Sequence, residues 1–312
     1  MAEAVTADGL AKAYGETVAV DDVTLRVGEG EVYGLIGPNG AGKSTLVQCL
    51  LGTLEPSSGS ARLFGQSSET VTAERIGYLP QSFTPHERLT VDELAEYYAG
   101  LYTAPRSVDD VLADVGLTDA RDARYESLSG GQQRRLCVGI SLINDPDVLF
   151  LDEPTTGIDP VGRREVWSLV ESLADGGTTV FLTTHFMDEA EVLADRVGIL
   201  VEGELVDEGT PTALIDRYVG DAHLSVEVTS EVDAAQFADA PFDVTSLGSR
   251  LEFEGVSPAD LPAAMEFLAD LDVTFTDVSW STPTLEDVYL RAAEEGAVPA
   301  SRRHRLVSGG IR

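Results

Sequence analysis

Gly37-Pro38-Asn39-Gly40-Ala41-Gly42-Lys43-Ser44-Thr45 decides how the rest of this chain is read. The apolar, strand-like Glu31-Val32-Tyr33-Gly34-Leu35-Ile36 precedes it, and the helix-like Leu46-Val47-Gln48-Cys49-Leu50-Leu51 follows. A Gly-x4-Gly-Lys-Ser run between a strand and a helix is a phosphate-binding loop. Its glycines let successive N–H groups turn inward, making an anion nest at a helix N-terminus. Lys43 is then expected to reach the β- and γ-phosphates and Ser44 to ligate Mg²⁺. By itself the loop specifies a nucleoside triphosphate and no particular use of it.

Two further stretches narrow that use. Val148-Leu149-Phe150-Leu151-Asp152-Glu153-Pro154 is an apolar strand ending in two carboxylates, at the edge of an α/β sheet where such folds bind ligands. Asp152 is expected to hold Mg²⁺, often through water, and Glu153 to polarise the attacking water. The plainer alternative is a solvated pair that ends a strand. Leu128-Ser129-Gly130-Gly131-Gln132-Gln133-Arg134-Arg135 lies before a helix. Ser129 and the two glycines make a second anion site by the same backbone logic, or simply a turn and a helix cap.

Composition bounds the rest. The 312 residues suffice for about two domains. With 21 basic against 54 acidic residues the formal charge is −33, which argues against binding nucleic acid by phosphate neutralisation. Such acidity suits a salty cell interior, where a Debye length of about 3 Å at 1 M suppresses self-repulsion; a halophilic source is expected. No run approaches the apolar length of a membrane span, and Met1-Ala2-Glu3-Ala4-Val5 lacks the features of a signal peptide. Cys49 and Cys137 lie in helix-like apolar segments and read as buried thiols. A cytoplasmic protein is predicted.

Along the chain, residues 1–66 look β-rich, with Val18–Val27 giving two short runs and Ser60–Phe64 another strand. Val91–Tyr102, Ser107–Val115 and Gly131–Ile143 carry apolar positions three and four apart, the helical period. Strand–turn–helix alternation follows: Asp147–Leu151, Gly162–Leu173, Thr178–Thr183 and Met187–Ala194, then a hairpin of Arg196–Val201 and Glu204–Glu208. This predicts a parallel α/β core with an antiparallel β subdomain and a helical insertion. Beyond Val219-Gly220 the order strand 224–229, helix 232–237, strands 242–246 and 250–253, helix 258–271, strand 273–280 suggests a small ferredoxin-like accessory domain, closed by a helix at 285–293. The expected domains are 1–220, 221–294 and an aperiodic, disordered tail, 295–312.

A phosphate loop, a Ser-Gly-Gly helix start and strand-end carboxylates in one chain resemble the ATP-binding cassette (ABC) ATPases. Other landmarks of that family occur in order: Tyr14, similar to the aromatic residue stacking on adenine; Gln81 in Tyr78-Leu79-Pro80-Gln81; Asp159 in Gly157-Ile158-Asp159-Pro160; and His185 in Leu182-Thr183-Thr184-His185. The resemblance covers roughly residues 4–218. It implies a P-loop NTPase core and ATP with Mg²⁺ at Ser44, Gln81 and Asp152. Glu153, His185 and Gln81 act in hydrolysis, and Gly37–Thr45, Ser129–Gln132, Tyr14 and Asp159 hold nucleotide. It also implies a head-to-tail dimer, the loop of one subunit facing Ser129 and Gly131 of the other across two ATP molecules.

One cassette without membrane helices fits the peripheral motor of a transporter acting through a separate permease. A mechanochemical ATPase of the translation-factor or DNA-repair kind is the alternative; a single cassette, no sustained heptads and strong negative charge count against it. Thr155–Pro160, Thr184–Glu191 and Ser281-Thr282-Pro283-Thr284-Leu285-Glu286-Asp287-Val288-Tyr289-Leu290 resemble drug exporters with ABC-2 type permeases. This implies export, with coupling through the segment around Ser82–Tyr102. Arg302-Arg303-His304-Arg305 is either a soluble tail or an attraction to anionic lipid.

Overall fold

A computed structural model of the protein describes residues 2–219, 222–229, 242–247, 250–257, 259–270 and 274–296. The chain divides into two compact units, Met1–Pro211 and Thr212–Arg312. The first begins with β1 (Glu3–Tyr14), β2 (Thr17–Gly28), β3 (Val32–Ile36), α1 (Lys43–Leu50), β4 (Ser58–Leu63), the short β5 (Gln66–Ser67) and β6 (Ile76–Leu79). Helices α2 (Val91–Ala99), α3 (Val108–Asp114) and α4 (Gly130–Ile140) form the insertion. Then come β7 (Val148–Asp152), α5 (Pro160–Asp175), β8 (Thr179–Thr184), α6 (Met187–Leu193), β9 (Arg196–Val201) and β10 (Glu204–Gly209).

The main sheet runs β10-β9-β3-β8-β7-β6, parallel except for the β9–β10 hairpin. Every residue of β3, β7 and β8 is buried, as expected of strands covered on both faces. Tyr33, Phe181 and Phe150 sit opposite one another across these three strands, with ring centroids 5.4 Å apart at each step. This puts the C-terminal ends of β3, β8, β7 and β6 side by side, and the four segments leaving those ends carry Lys43, His185, Glu153 and Gln81.

A second, antiparallel sheet has the order β2-β1-β4-β5. Where the sequence suggested two short runs around Asp21-Asp22, β2 is one strand. Asp22 takes a positive φ of 49°, and the register with β1 shifts between Leu10↔Val23 and Lys12↔Val20, so a bulge absorbs the polar pair without ending the ladder. The β9–β10 turn has positive φ at both Glu202 and Gly203, the primed geometry that suits tight hairpins. Its tip bonds both ways: Asp21 N–H donates to Gly203 O at 2.9 Å, and Gly203 N–H to Ala41 O at 3.0 Å. In the helical insertion, Thr90 with Glu93 and Ser129 with Gln132 form reciprocal capping boxes that start α2 and α4.

β6 carries no expectation from the sequence: four residues with a glycine in the middle give little periodicity. The fold supplies the missing restraint, because Asn144 Nδ2 lies 2.8–3.2 Å from the carbonyls of Ala73, Glu74 and Ile76.

The second unit holds most of α7 (Pro211–Tyr218), then β11 (His223–Val228), β12 (Asp243–Leu247), β13 (Arg250–Glu254), α8 (Leu261–Asp270), β14 (Phe275–Ser281) and α9 (Leu285–Gly296). Its sheet has the order β12-β13-β11-β14, every pair antiparallel. Leu224, Val226, Leu251, Phe253, Val256, Ala264 and Leu268 form its core. Arg291 on α9 donates to Tyr218 O at 2.7 Å, tying α7 to this unit. At the start of α9 the Asp287 carboxylate accepts from Thr284 N–H and Oγ1, and Leu285, Val288 and Ala292 form the buried face of the helix. The helix expected over 232–237, the tail beyond Gly296 and its basic cluster lie outside the described residues; Glu295 and Gly296, expected in the disordered tail, instead end α9.

Candidate functional site

The loop after β3 is shaped by glycine. Gly40 and Gly42 adopt φ of 87° and 103°, open to glycine and strained for other residues. Gly42 is also the N-cap of α1 and offers no side-chain cap, and no acidic residue stands in the first turn. The first amides of α1 are therefore left to an external anion, with the helix dipole favouring negative charge there. A cleft of about 310 Å³ lies over them. Loop residues between Asn39 and Thr45 line one side, Gln81 and Glu153 the other, and Ala19 lies at the rim.

Across the cleft, Lys43 Nζ reaches Gly37 O at 2.8 Å, Pro38 O at 3.1 Å and Glu153 Oε1 at 3.2 Å. Both partners of this ion pair are about 5% exposed or less. Glu153 Oε2 accepts from Gln81 Nε2 at 2.8 Å and Thr156 Oγ1 at 3.0 Å, and His185 Nδ1 lies 3.2 Å away. Burial pushes the Glu153 carboxyl up, but the Lys43 ammonium, bonds from Lys43 and Thr156, and His185 outweigh it, so its pKa is lowered. Thr183 on β8 joins the Asp152 carboxylate to the main chain of Glu153: its hydroxyl donates to Asp152 Oδ1 and accepts from Glu153 N–H.

The other expected residues fall in different places. Ser129 caps α4, with Ser129 Oγ accepting from Gln132 N–H at 3.2 Å. Ser129 and Gly130 are exposed at that helix start, and neither lines the cleft. Gly131 is buried against Gly162 of α5: a Cβ on Gly131 would stand 2.8 Å from Gly162 Cα. Asp159 caps α5 through Val161 N–H and Gly162 N–H at 2.9 and 3.1 Å, bonds that lower its pKa. Tyr14 ends β1 half exposed, with Lys12 Nζ 5.4 Å from its ring centroid. The plain reading of Ser129 as a helix cap thus holds, Asp159 proves to be a cap as well, and both helix starts lie at the surface.

Thr183, Thr156, Arg134 and Gly162 received no role from the sequence. Thr183 and Thr156 flank landmarks, so proximity was their only signal. Arg134 stands three and four residues before the apolar Cys137 and Val138, a spacing that places it on the buried face of α4. Cys49 and Cys137 are both buried and free.

Glu189, next to this region on α6, is fully buried. Its Oε1 accepts from Trp167 Nε1 at 3.0 Å, and the Thr184 and Thr155 hydroxyls lie beside it. Burial pushes its pKa up against those bonds and Arg163. A raised folded-state pKa favours the folded state below the unfolded value, about 4.3, and that advantage is lost as pH rises through the folded value. Glu189→Gln should therefore stabilise the protein at pH 8, by about 1 kcal/mol, and flatten stability against pH. Urea melts at pH 5 and pH 8 check this; a loss of stability at pH 8 counts against it.

The donor set fits a triphosphate: uncapped amides, a buried ammonium and glycines shaped for close approach. Oxygen donors suited to a hard cation are near: Ser44 and Gln81 line the cleft, and Asp152, buried at the end of β7, precedes Glu153. Among the described residues no cluster of three His, Cys, Asp or Glu could hold a metal unaided.

Comparison with known proteins agrees. The ABC transporter family profile matches residues 20–156. The daunorubicin/doxorubicin resistance ATP-binding protein DrrA of Streptomyces peucetius is 36% identical over 92% of this chain and 91% of its own length. The Nod factor export ATP-binding protein I of Paraburkholderia xenovorans is 42% identical over 70% of this chain and 74% of its own. Among solved structures, the ADP conformation of an ATP-binding cassette of an ABC transporter superposes with a TM-score of 0.63 at 25% identity. It covers 71% of this chain and 96% of that one. A dimeric cassette in a post-hydrolysis state with ADP and Pi gives 0.59 at 26% identity over 66% of this chain and 98% of that one. The chain belongs to the ATP-binding subunits of ABC transporters, and it is an ATPase.

Proposed function

We propose that this subunit powers export through a separate ABC-2 type permease on the cytoplasmic face of the membrane, working as a head-to-tail dimer. The observation that carries the site is the convergence of Lys43, Gln81, Thr156 and His185 on Glu153 beside the uncapped start of α1. In the dimer, the exposed Ser129 and Gly130 of one subunit, with Gly131 and Gln132, meet the phosphates held by the other. Tyr14 supports the base, and Asp159 contributes to the nucleotide site. Ser44, Gln81 and Asp152 would hold Mg²⁺, which would supply charge neutralisation for the phosphates.

Hydrolysis then needs positioning more than covalent help. Water adds to the γ-phosphorus and the bond to the β–γ bridging oxygen breaks. ADP leaves with that electron pair, and the water proton moves toward Glu153, with His185 steadying the γ-phosphate. Loss of the bridge between subunits opens the dimer. The ABC domain is 1–220 in this reading, and 221–294 is a ferredoxin-like accessory domain.

Export is supported by the relatives, which are named for drug resistance and for Nod factor export. No helix among the described residues is long and apolar enough to cross a membrane; in this reading a separate permease supplies the path for cargo. The insertion offers it a ledge: Tyr97 and Leu101 are 60% and 63% exposed, and Phe83, Tyr98 and Tyr97 stack edge-on beneath. Tagged protein purified from detergent-solubilised native membranes should bring a stoichiometric polytopic partner. Tyr97→Glu with Leu101→Asp should lose that partner at least tenfold and leave basal ATPase activity within twofold. Recovery only in the soluble fraction would favour the mechanochemical alternative.

The charge of −33 supports a salty host. Thermal stability should rise steeply with KCl up to molar concentrations; full stability in dilute buffer would dispose of this reading.

A further inference from the structure

We propose that Arg134 is a positioning residue for hydrolysis, fixing the backbone that aims Glu153 at its water; this rests on the reading of Glu153 given above. Arg134 is on α4, five residues after Ser129, and is 9% exposed. Its guanidinium bonds three consecutive carbonyls: Nη2 to Asp152 O at 3.3 Å and Glu153 O at 3.0 Å, and Nε to Pro154 O at 2.5 Å. No ion pair with a carboxylate closes on it among the described residues. A buried cation is costly unless its donors are satisfied, and here main-chain oxygens of the catalytic segment satisfy them.

Glu153 needs such a hold. It sits at φ 49°, a left-handed conformation that disfavours residues with a side chain. Its N–H is held from β8 by Thr183 O and Oγ1 at 3.0 and 3.1 Å. Its C=O is held from the other side by Arg134. With both flanking peptides fixed, the carboxylate is aimed; displacement of a reacting group by about 1 Å can cost about 100-fold in rate. Lysine keeps the charge but not the planar fork, so it cannot bond all three carbonyls.

Arg134→Lys should lower kcat by tenfold or more and leave KM for ATP within about twofold. Glu153→Gln, assayed beside it, keeps the two claims apart. If Glu153→Gln retains turnover, the reading of Glu153 falls and this proposal with it. If Glu153→Gln is inactive while Arg134→Lys turns over within twofold of the parent, only this proposal falls. A rise in KM matching the fall in kcat/KM, with kcat unchanged, also overturns it.

Should the lysine variant not fold, the unmodified protein decides through the Arg134 Nε–H resonance, read by nitrogen-15 NMR. Slow exchange that changes on adding ATP and Mg²⁺ supports the role. Exchange as fast as that of exposed arginines, or slow exchange insensitive to nucleotide, overturns it.

Discussion

Glu153→Gln is expected to abolish turnover and trap a nucleotide-bound dimer. Loss of a positioned base costs about 100-fold or more in kcat. Affinity for ATP should not fall, because Glu153 holds Lys43 at 3.2 Å and so competes with phosphate for it. Glutamine removes that competitor. The same change leaves a buried ammonium with neutral acceptors alone, Gly37 O, Pro38 O and the new amide oxygen, and removing the charge of one partner of a buried pair is destabilising. The empty variant should melt lower than the parent and gain more from ATP. Light scattering after chromatography should show a doubled mass with Mg²⁺ and ATP; turnover within tenfold of the parent would refute the assignment. Acid acts on the same pair. Because the folded-state pKa of Glu153 is lowered, its contribution is full above the unfolded value, about 4.3. That contribution is lost as pH falls through the folded value.

Gly42→Ala should cost far more than Gly40→Ala. Both residues have positive φ, and strain of this kind costs roughly 1–3 kcal/mol. The surroundings separate them. A Cβ on Gly42 would stand 2.1 Å from Ala19 O on β2, whereas one on Gly40 meets nothing within 4 Å. Since β2 is pinned through Asp21 to the β9–β10 tip, it cannot retreat freely. ATP affinity should fall at least 100-fold for Gly42→Ala, roughly 3 kcal/mol, and at most tenfold for Gly40→Ala. Titration with a fluorescent ATP analogue distinguishes them; equal losses would show that strain alone governs the loop.

The parts of the site legible in the sequence were those whose chemistry is local. A glycine-rich loop between strand and helix, two carboxylates closing an apolar strand, and a Ser-Gly-Gly helix start each state their role within a few residues. β6 was not legible, because Ile76–Leu79 is a strand through its pairing with β7, far along the chain, and Asn144 holds the carbonyls at its beginning. Arg134 stood in view beside the Ser-Gly-Gly start, yet its acceptors lie some twenty residues away. Gly162 gave no signal, since its partner is another glycine on a different helix. Long-range contacts of this sort leave no period and no motif.

The meeting of Gly131 and Gly162 removes slack between α4 and α5: the two backbones touch, with no side chain between them to yield. The helix starts capped by Ser129 and Asp159 are therefore faces of a single rigid die. A second subunit pressing on either one must displace both, so a half-engaged interface has nowhere to relax and docking tends to all or nothing.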